Sequence, residues 1–228
     1  RPGIICTTAG PGATNALSGI GEAWADTMPV LLVAGQVNQD RLHQECGNYH
    51  EIDLESIFKP CTKYAATLAD NAAIPEVVAR AFQAMNTGRR RPAAIFAPQD
   101  LQKQAGHWPG DFPALPVQVP PRPDEGALQR AVQLLQESQR PILLAGGGAV
   151  WSNAGPVLRQ LAERLQCPMV TTLNGKGILD ERDPLSLGHA RSARGKAALN
   201  HADLTLAVGC RFTEGFSGFR KLRLPPPL

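Results

Sequence analysis

The chain has 228 residues, 43% of them hydrophobic and 19% charged, with a formal net charge of +3. That is enough apolar material for a sizeable core, which excludes a disordered chain, and too little positive charge to argue for a nucleic-acid partner. No apolar run approaches the ~20 residues of a membrane span, and no charged segment backed by an apolar one reads as a secretory leader.

Five cysteines stand at positions 6, 46, 61, 167 and 210, an odd number with no Cys-x-x-Cys pair. They read as reduced thiols of a cytosolic protein rather than as a zinc site or a disulfide frame. The chain opens on Arg1 and not on Met, so it reads as a piece of something longer.

Taken in order, the first half alternates short β-type runs with helical ones. "GIIC" predicts a strand and breaks at once into Gly10-Pro11-Gly12, followed by a helical pattern through Trp24. A strand that turns sharply into a helix N-terminus leaves backbone N–H groups facing whatever lies above the strand end, as a ligand cradle or merely as a tight turn. "PVLLVAGQ" (29–36) predicts a second strand, "EIDLESIF" a short helix and "TKYAATL" a strand. A helix runs from Ile74-Pro75 to Gly88, and "PAAIFAPQD" (92–100) predicts a further strand. Arg89, Arg90 and Arg91 fall where that helix ends, where cations favour the dipole, and read as a solvated terminus.

Composition then shifts. "HWPGDFPALPVQVPPRP" (107–123) is studded with prolines, which restrict both their own φ and their neighbours' backbone, and predicts a semi-extended linker. Beyond it come a helix over "DEGALQRAVQLLQES", a strand over 141–148, a helix over "GPVLRQLAERLQ" and a strand over 168–173. A helical run near "RGKAALNHA" and a strand over 204–210 follow. The expected fold is α/β, with two domains (1–105 and 124–228) joined by a linker (106–123), each carrying a mainly parallel sheet flanked by helices.

Several local patterns carry chemistry only weakly. Gly146 and Gly148 in "LAGGGAVWSNAG" open a G-x-G-x-x-G, but Trp151 stands at its third position and no acid follows at the ribose-binding distance. Close backbone passage at a strand end and an anion contact of another type both remain open for these glycines. "TLNGKG" lacks phosphate-loop spacing, so Lys176 reads as a surface lysine beside a turn. His43 and His50, with Glu45 and Glu51, offer acid–base groups in one polar segment, though their spacing carries no metal signature. No Gly-x-Ser-x-Gly elbow supports covalent hydrolytic chemistry.

Read together, the motifs say more. "RPGIICTTAGPGATNALSGIGEAWADTMPVLLVAGQV" resembles the first domain of thiamine-diphosphate-dependent enzymes of the acetolactate synthase and 2-oxo acid decarboxylase type. "RPILLAGGGAV", "LNGKG", "DPLSLGHA" and "ADLTLAVGCRF" resemble the central domain of the same family in order and spacing. The resemblance implies a pyrimidine-binding domain and a Rossmann-like central domain, and a thiamine diphosphate cofactor with Mg²⁺. It further implies a small-molecule 2-oxo acid substrate, a homodimer or homotetramer, and a cytoplasmic location. It places Gly10, Pro11, Gly12, Asn15 and Gln36 on the cofactor's pyrimidine side. Tyr49-His50-Glu51 falls where the family has Phe-Gln-Glu, which makes His50 the candidate catalytic group; no metal ligand is assigned in this chain.

The family's activating glutamate and its Mg²⁺- and diphosphate-holding segment are expected outside this stretch, which alone should not catalyse. Departures narrow the expectation. The family's FAD-touching Met-His-Gly-Thr loop has no counterpart in "LGHARSARGKAALN", so FAD binding is doubtful. The second arginine of its Arg-Phe-Asp-Asp-Arg is Gly215, and glycine cannot fork onto an acceptor carboxylate. A decarboxylase or another carboligase fits better than a true acetolactate synthase, with a non-catalytic nucleotide-binding or assembly module as the rival of a different class.

Overall fold

The computed structural model describes residues 2–44, 47–106 and 121–213. The chain divides into two compact units, Arg1–Pro120 and Pro121–Leu228. Most of the expected proline-rich linker, with Glu45, Cys46 and Gly215, lies outside the described residues.

In the first unit β1 (Gly3–Thr7) turns into α1 (Pro11–Asn15) and α2 (Leu17–Ala25), and β2 (Val30–Gln36) follows. After α3 (Leu54–Phe58) and β3 (Ala65–Thr67) come α4 (Ile74–Asn86), β4 (Ala93–Pro98) and α5 (Gln99–Lys103). The sheet is wholly parallel, in the order β1-β2-β4-β3. Its central strands are the near-continuous apolar runs VLLVAGQ and AAIFAP, as two-sided burial under helices demands. Leu32, Leu54, Phe58 and Phe96 pack on one face with Ile20, and the Phe58 and Phe96 rings lie 5.7 Å apart. Leu31, Ile95, Ala81 and Met85 fill the other face beneath α4. Arg91 does more than end a helix: its guanidinium stacks on the Trp24 ring at 3.7 Å. Lys63 Nζ donates to the carbonyls of Thr87 and Arg89, just past the helix end.

The second unit runs α6 (Glu125–Glu137), β5 (Pro141–Ala145), α7 (Gly147–Trp151), α8 (Gly155–Leu165) and β6 (Met169–Thr171). It continues with β7 (Ser186–His189), α9 (Ala193–His201) and β8 (Leu204–Val208). The order is β7-β6-β5-β8, again all parallel, so the winding reverses between β5 and β8. Two sequence readings change here. Gly147 and Gly148, expected in the strand, open α7, with the extended Gly146 as its N-cap. The strand β7 escaped the sequence because "SLGH" is short and half-buried, with Gly188 at φ 70° and an extra residue in its pairing with β6.

The switch point settles the role of the glycine run. Gly146 N–H donates to Val208 O at 2.9 Å and Gly148 N–H to Gly209 O at 3.0 Å. A Cβ on Gly146 would lie 2.3 Å from Gly209 O. Close backbone passage is what these glycines provide. Lys176 is exposed beside its turn, as expected, and pairs with Glu181 at 2.9 Å.

Among the described residues no helix is long and apolar enough to cross a membrane. Cys6, Cys61, Cys167 and Cys210 are free thiols. Burial pushes the Cys210 thiol up to about 11, and its Sγ points at Leu144 O, so it is inert at neutral pH.

Candidate active site

Parallel strands present their carboxyl ends on one edge, and ligands of such sheets bind there. In the first unit the ends of β1, β2 and β4 open onto a cavity of about 630 Å³, the size of a small-molecule site. Thr7, Thr8 and Ala9 come from β1 and its turn, Gly35 and Gln36 from β2, and Gln99 and Gln102 from α5 after β4. Tyr49 and His50 close one side.

The turn after β1 is built from inside the chain. Gly10 has φ 55°, a conformation that glycine adopts without strain. A Cβ there would lie 2.8 Å from His50 O and 3.0 Å from His50 Cα. A Cβ on Gly12 would meet Thr8 Cγ2 at 2.4 Å, and one on Gly35 the Ala9 backbone nitrogen at 3.1 Å. Room for close approach is therefore taken up by the chain's own segments. α1 begins at Pro11, whose missing N–H is no loss at a first helical position. Pro11 and Asn15 are exposed and do not line the cavity, nor do Gly10 and Gly12. Of the residues singled out in the sequence, Gln36 and His50 are the two that the cavity brings together.

Gln36 is 3% exposed, and its amide is used in both directions. Oε1 accepts from Val37 N–H at 2.9 Å, and Nε2 donates to Ile52 O at 3.1 Å. His50 has φ 67°, uncommon for a side-chain-bearing residue, and its ring stacks on Tyr49 at 3.8 Å. Tyr49 is 85% exposed, so the pair stands at the cavity mouth. The polar segment divides its acid–base groups: His43 and Glu51 line a separate cavity of about 280 Å³. Glu51 there accepts from Gln44 N–H at 3.0 Å and from Asn48 Nδ2 at 2.8 Å. Asp53 caps α3 through Ser56, and those hydrogen bonds hold its carboxyl below the usual range.

Sequence reasoning missed Thr7, Thr8, Gln99 and Gln102. Their one signal is position: each stands at or just past the end of an apolar strand run, and the order of those strands is needed to see that they converge. Thr7 Oγ1 is buried and, among the described residues, without a hydrogen-bond partner. Among the described residues no three His, Cys, Asp or Glu side chains gather as a metal site.

Residues 1–57 match the family description "Thiamine pyrophosphate enzyme, N-terminal TPP binding domain", and residues 128–227 match "Thiamine pyrophosphate enzyme, central domain". The chain is 36% identical to the acetolactate synthase large subunit of Parasynechococcus marenigrum, over 96% of this chain and 36% of that protein. It is 32% identical to the glyoxylate carboligase of Escherichia coli, over 95% and 37% respectively. It is 35% identical to a Pseudomonas aeruginosa protein named "Probable 2-ketoarginine decarboxylase", over 99% and 40%. The chain thus spans little more than a third of the length of these relatives.

Proposed function

Because the chain belongs to the thiamine pyrophosphate enzymes, we propose that it is the cofactor-wall and central part of a 2-oxo acid decarboxylase or carboligase resembling acetolactate synthase. The observation that carries this reading is the cavity at the carboxyl ends of β1, β2 and β4, in the unit whose residues 1–57 match the cofactor-binding description. Its volume suits a heteroaromatic ring system.

When bound, thiamine diphosphate supplies the electron sink that lets a 2-oxo acid lose CO₂. This chain's residues do the rest of the work on their side of the site. The β1 turn and Gln36 shape the wall, with Gly10, Pro11, Gly12 and Asn15 forming the strand-to-helix corner beside it. His50, at the mouth, is the group this chain offers as general acid toward the carbon that CO₂ has left. His50 shares its positive φ with His43 in the same segment, and functional sites tend to keep such sparsely populated backbone.

The relatives whose names are acetolactate synthase, glyoxylate carboligase and 2-ketoarginine decarboxylase all act on 2-oxo acids, which supports that substrate class. Mg²⁺, the diphosphate-holding residues and a second subunit completing the site belong to the proposal too, as does a cytoplasmic location. FAD does not.

The test is turnover by the complete gene product with thiamine diphosphate, Mg²⁺ and a panel of 2-oxo acids. CO₂ release with aldehyde as product supports the decarboxylase reading, and a condensed hydroxy-keto acid moves the assignment to a synthase or carboligase. No CO₂ from any 2-oxo acid, with cofactor bound, refutes the enzyme reading and leaves the binding-module rival.

A further inference from the structure

We infer that Gln36 is a positioning residue for His50, acting through the backbone of the 50–52 segment rather than by a hydrogen bond to the cofactor. The inference rests on the proposed role of His50.

His50 is gripped from two neighbouring strands. From the β1 side, Gly10 lies against its backbone so closely that a Cβ would come 2.9 Å from His50 Cβ and 2.8 Å from its carbonyl oxygen. From the β2 side, Gln36 Nε2 donates to Ile52 O, two residues along, at 3.1 Å. The same carbonyl accepts Leu54 N–H at 2.8 Å, which ties the segment to the start of α3. α3 is in turn pinned by Leu54 and Phe58, both fully buried.

Gln36 cannot swing away to serve a ligand cheaply. Its Oε1 is held by Val37 N–H at 2.9 Å, the side chain is 3% exposed, and its two bonds are made to backbone groups. Removing the amide leaves Val37 N–H and one bond of Ile52 O unmet in a buried place. The 50–52 segment then loses a side-chain link from β2, and a left-handed His50, intrinsically uncommon, relaxes. Gln36 fixes where the imidazole stands, with both ends of its amide already engaged by backbone groups.

A double-mutant cycle in the complete gene product, loaded with thiamine diphosphate and Mg²⁺, tests this. Gln36→Leu is expected to lower turnover about tenfold in the presence of His50, the scale of a buried hydrogen bond broken on one side. In the His50→Gln background the same change should cost less than about twofold, because coupled residues are not additive. Apparent affinity for thiamine diphosphate should stay put in both.

Gln36→Glu guards against a variant that simply fails to fold, since it is isosteric. Its carboxyl, when protonated, donates to Ile52 O as the amide does, so the variant should recover turnover relative to wild type as pH falls through the carboxyl's pKa. A tenfold loss of cofactor affinity in Gln36→Leu, an equal loss of turnover in both backgrounds, or a Gln36→Glu variant with no acid recovery would each overturn the inference. If His50→Gln leaves turnover unchanged, the role of His50 falls first and the inference with it, a pattern distinct from the other three.

Discussion

The carbonyl oxygen of His50 stands where a side chain on Gly10 would go: a Cβ built on Gly10 is 2.8 Å from it. The strand-to-helix corner and the candidate catalytic loop are thus one packed unit, and neither can shift alone. Gly10→Ala should disturb both. It forces a β-carbon onto a residue at φ 55°, ψ −116°, a sparsely populated conformation costing about 1–3 kcal/mol, and pushes the His50 backbone away. Denaturant unfolding should register the loss of stability, and turnover in the complete gene product should fall with it.

His50→Gln should lower decarboxylation by roughly 10²-fold, the low end of general acid–base effects, with little change in cofactor affinity. Aldehyde release measured against thiamine diphosphate concentration separates the two. An untouched rate makes His50 an ordinary loop histidine.

Two glycines in different settings should respond with opposite sign. Gly209 has φ 64°, and a Cβ on it would lie 2.2 Å from Ala149 N, so Gly209→Ala should destabilise the second unit by more than the ~1–2 kcal/mol of the left-handed backbone alone. Gly19 lies inside α2 with nothing within 4 Å of a built Cβ. Gly19→Ala should stabilise by about 0.5–1 kcal/mol, the helix-propensity difference. Urea titration of both variants checks the pair.

Asp203 ties the start of β5 to the start of β8. It accepts from Ser138 Oγ at 2.5 Å, Gln139 N–H at 2.8 Å and Arg140 N–H at 2.9 Å, and these bonds, Ser138 first, hold its carboxyl below the ordinary 3.8. A depressed folded-state pKa means stability that is present above the unfolded value and is lost as pH falls through the folded one. Asp203→Asn should lower the second unit's melting temperature near neutrality and remove part of its acid sensitivity below about pH 4. Melting curves across that range, equally steep for wild type and variant, would contradict this account of Asp203.

Strands with continuous apolar runs were legible in the sequence: VLLVAGQ, AAIFAP and PILLA could hardly be anything but buried strands between helices. Motif order carried the family. What the sequence hid was anything set by pairing. Ser186–His189 became a strand through its contact with Met169 and Thr171, not through its own residues. The cavity is legible only once β1, β2 and β4 are known to be neighbours, which is why Thr7 and Gln102 went unread while Gln36 and His50 were picked out by resemblance. The glycines of the corner were left open between a ligand cradle and a tight turn; Thr8 and His50 pack against them, a fact of tertiary packing that no local pattern encodes.

The central claim is that the carboxyl edge of β1, β2 and β4 is the wall against which thiamine diphosphate sits. A structure of the complete gene product with thiamine diphosphate and Mg²⁺ tests it most directly. The account predicts cofactor density against that edge, beside Thr7 and Gln36, with His50 still in the left-handed conformation at the mouth. Cofactor bound with that cavity left empty would contradict it.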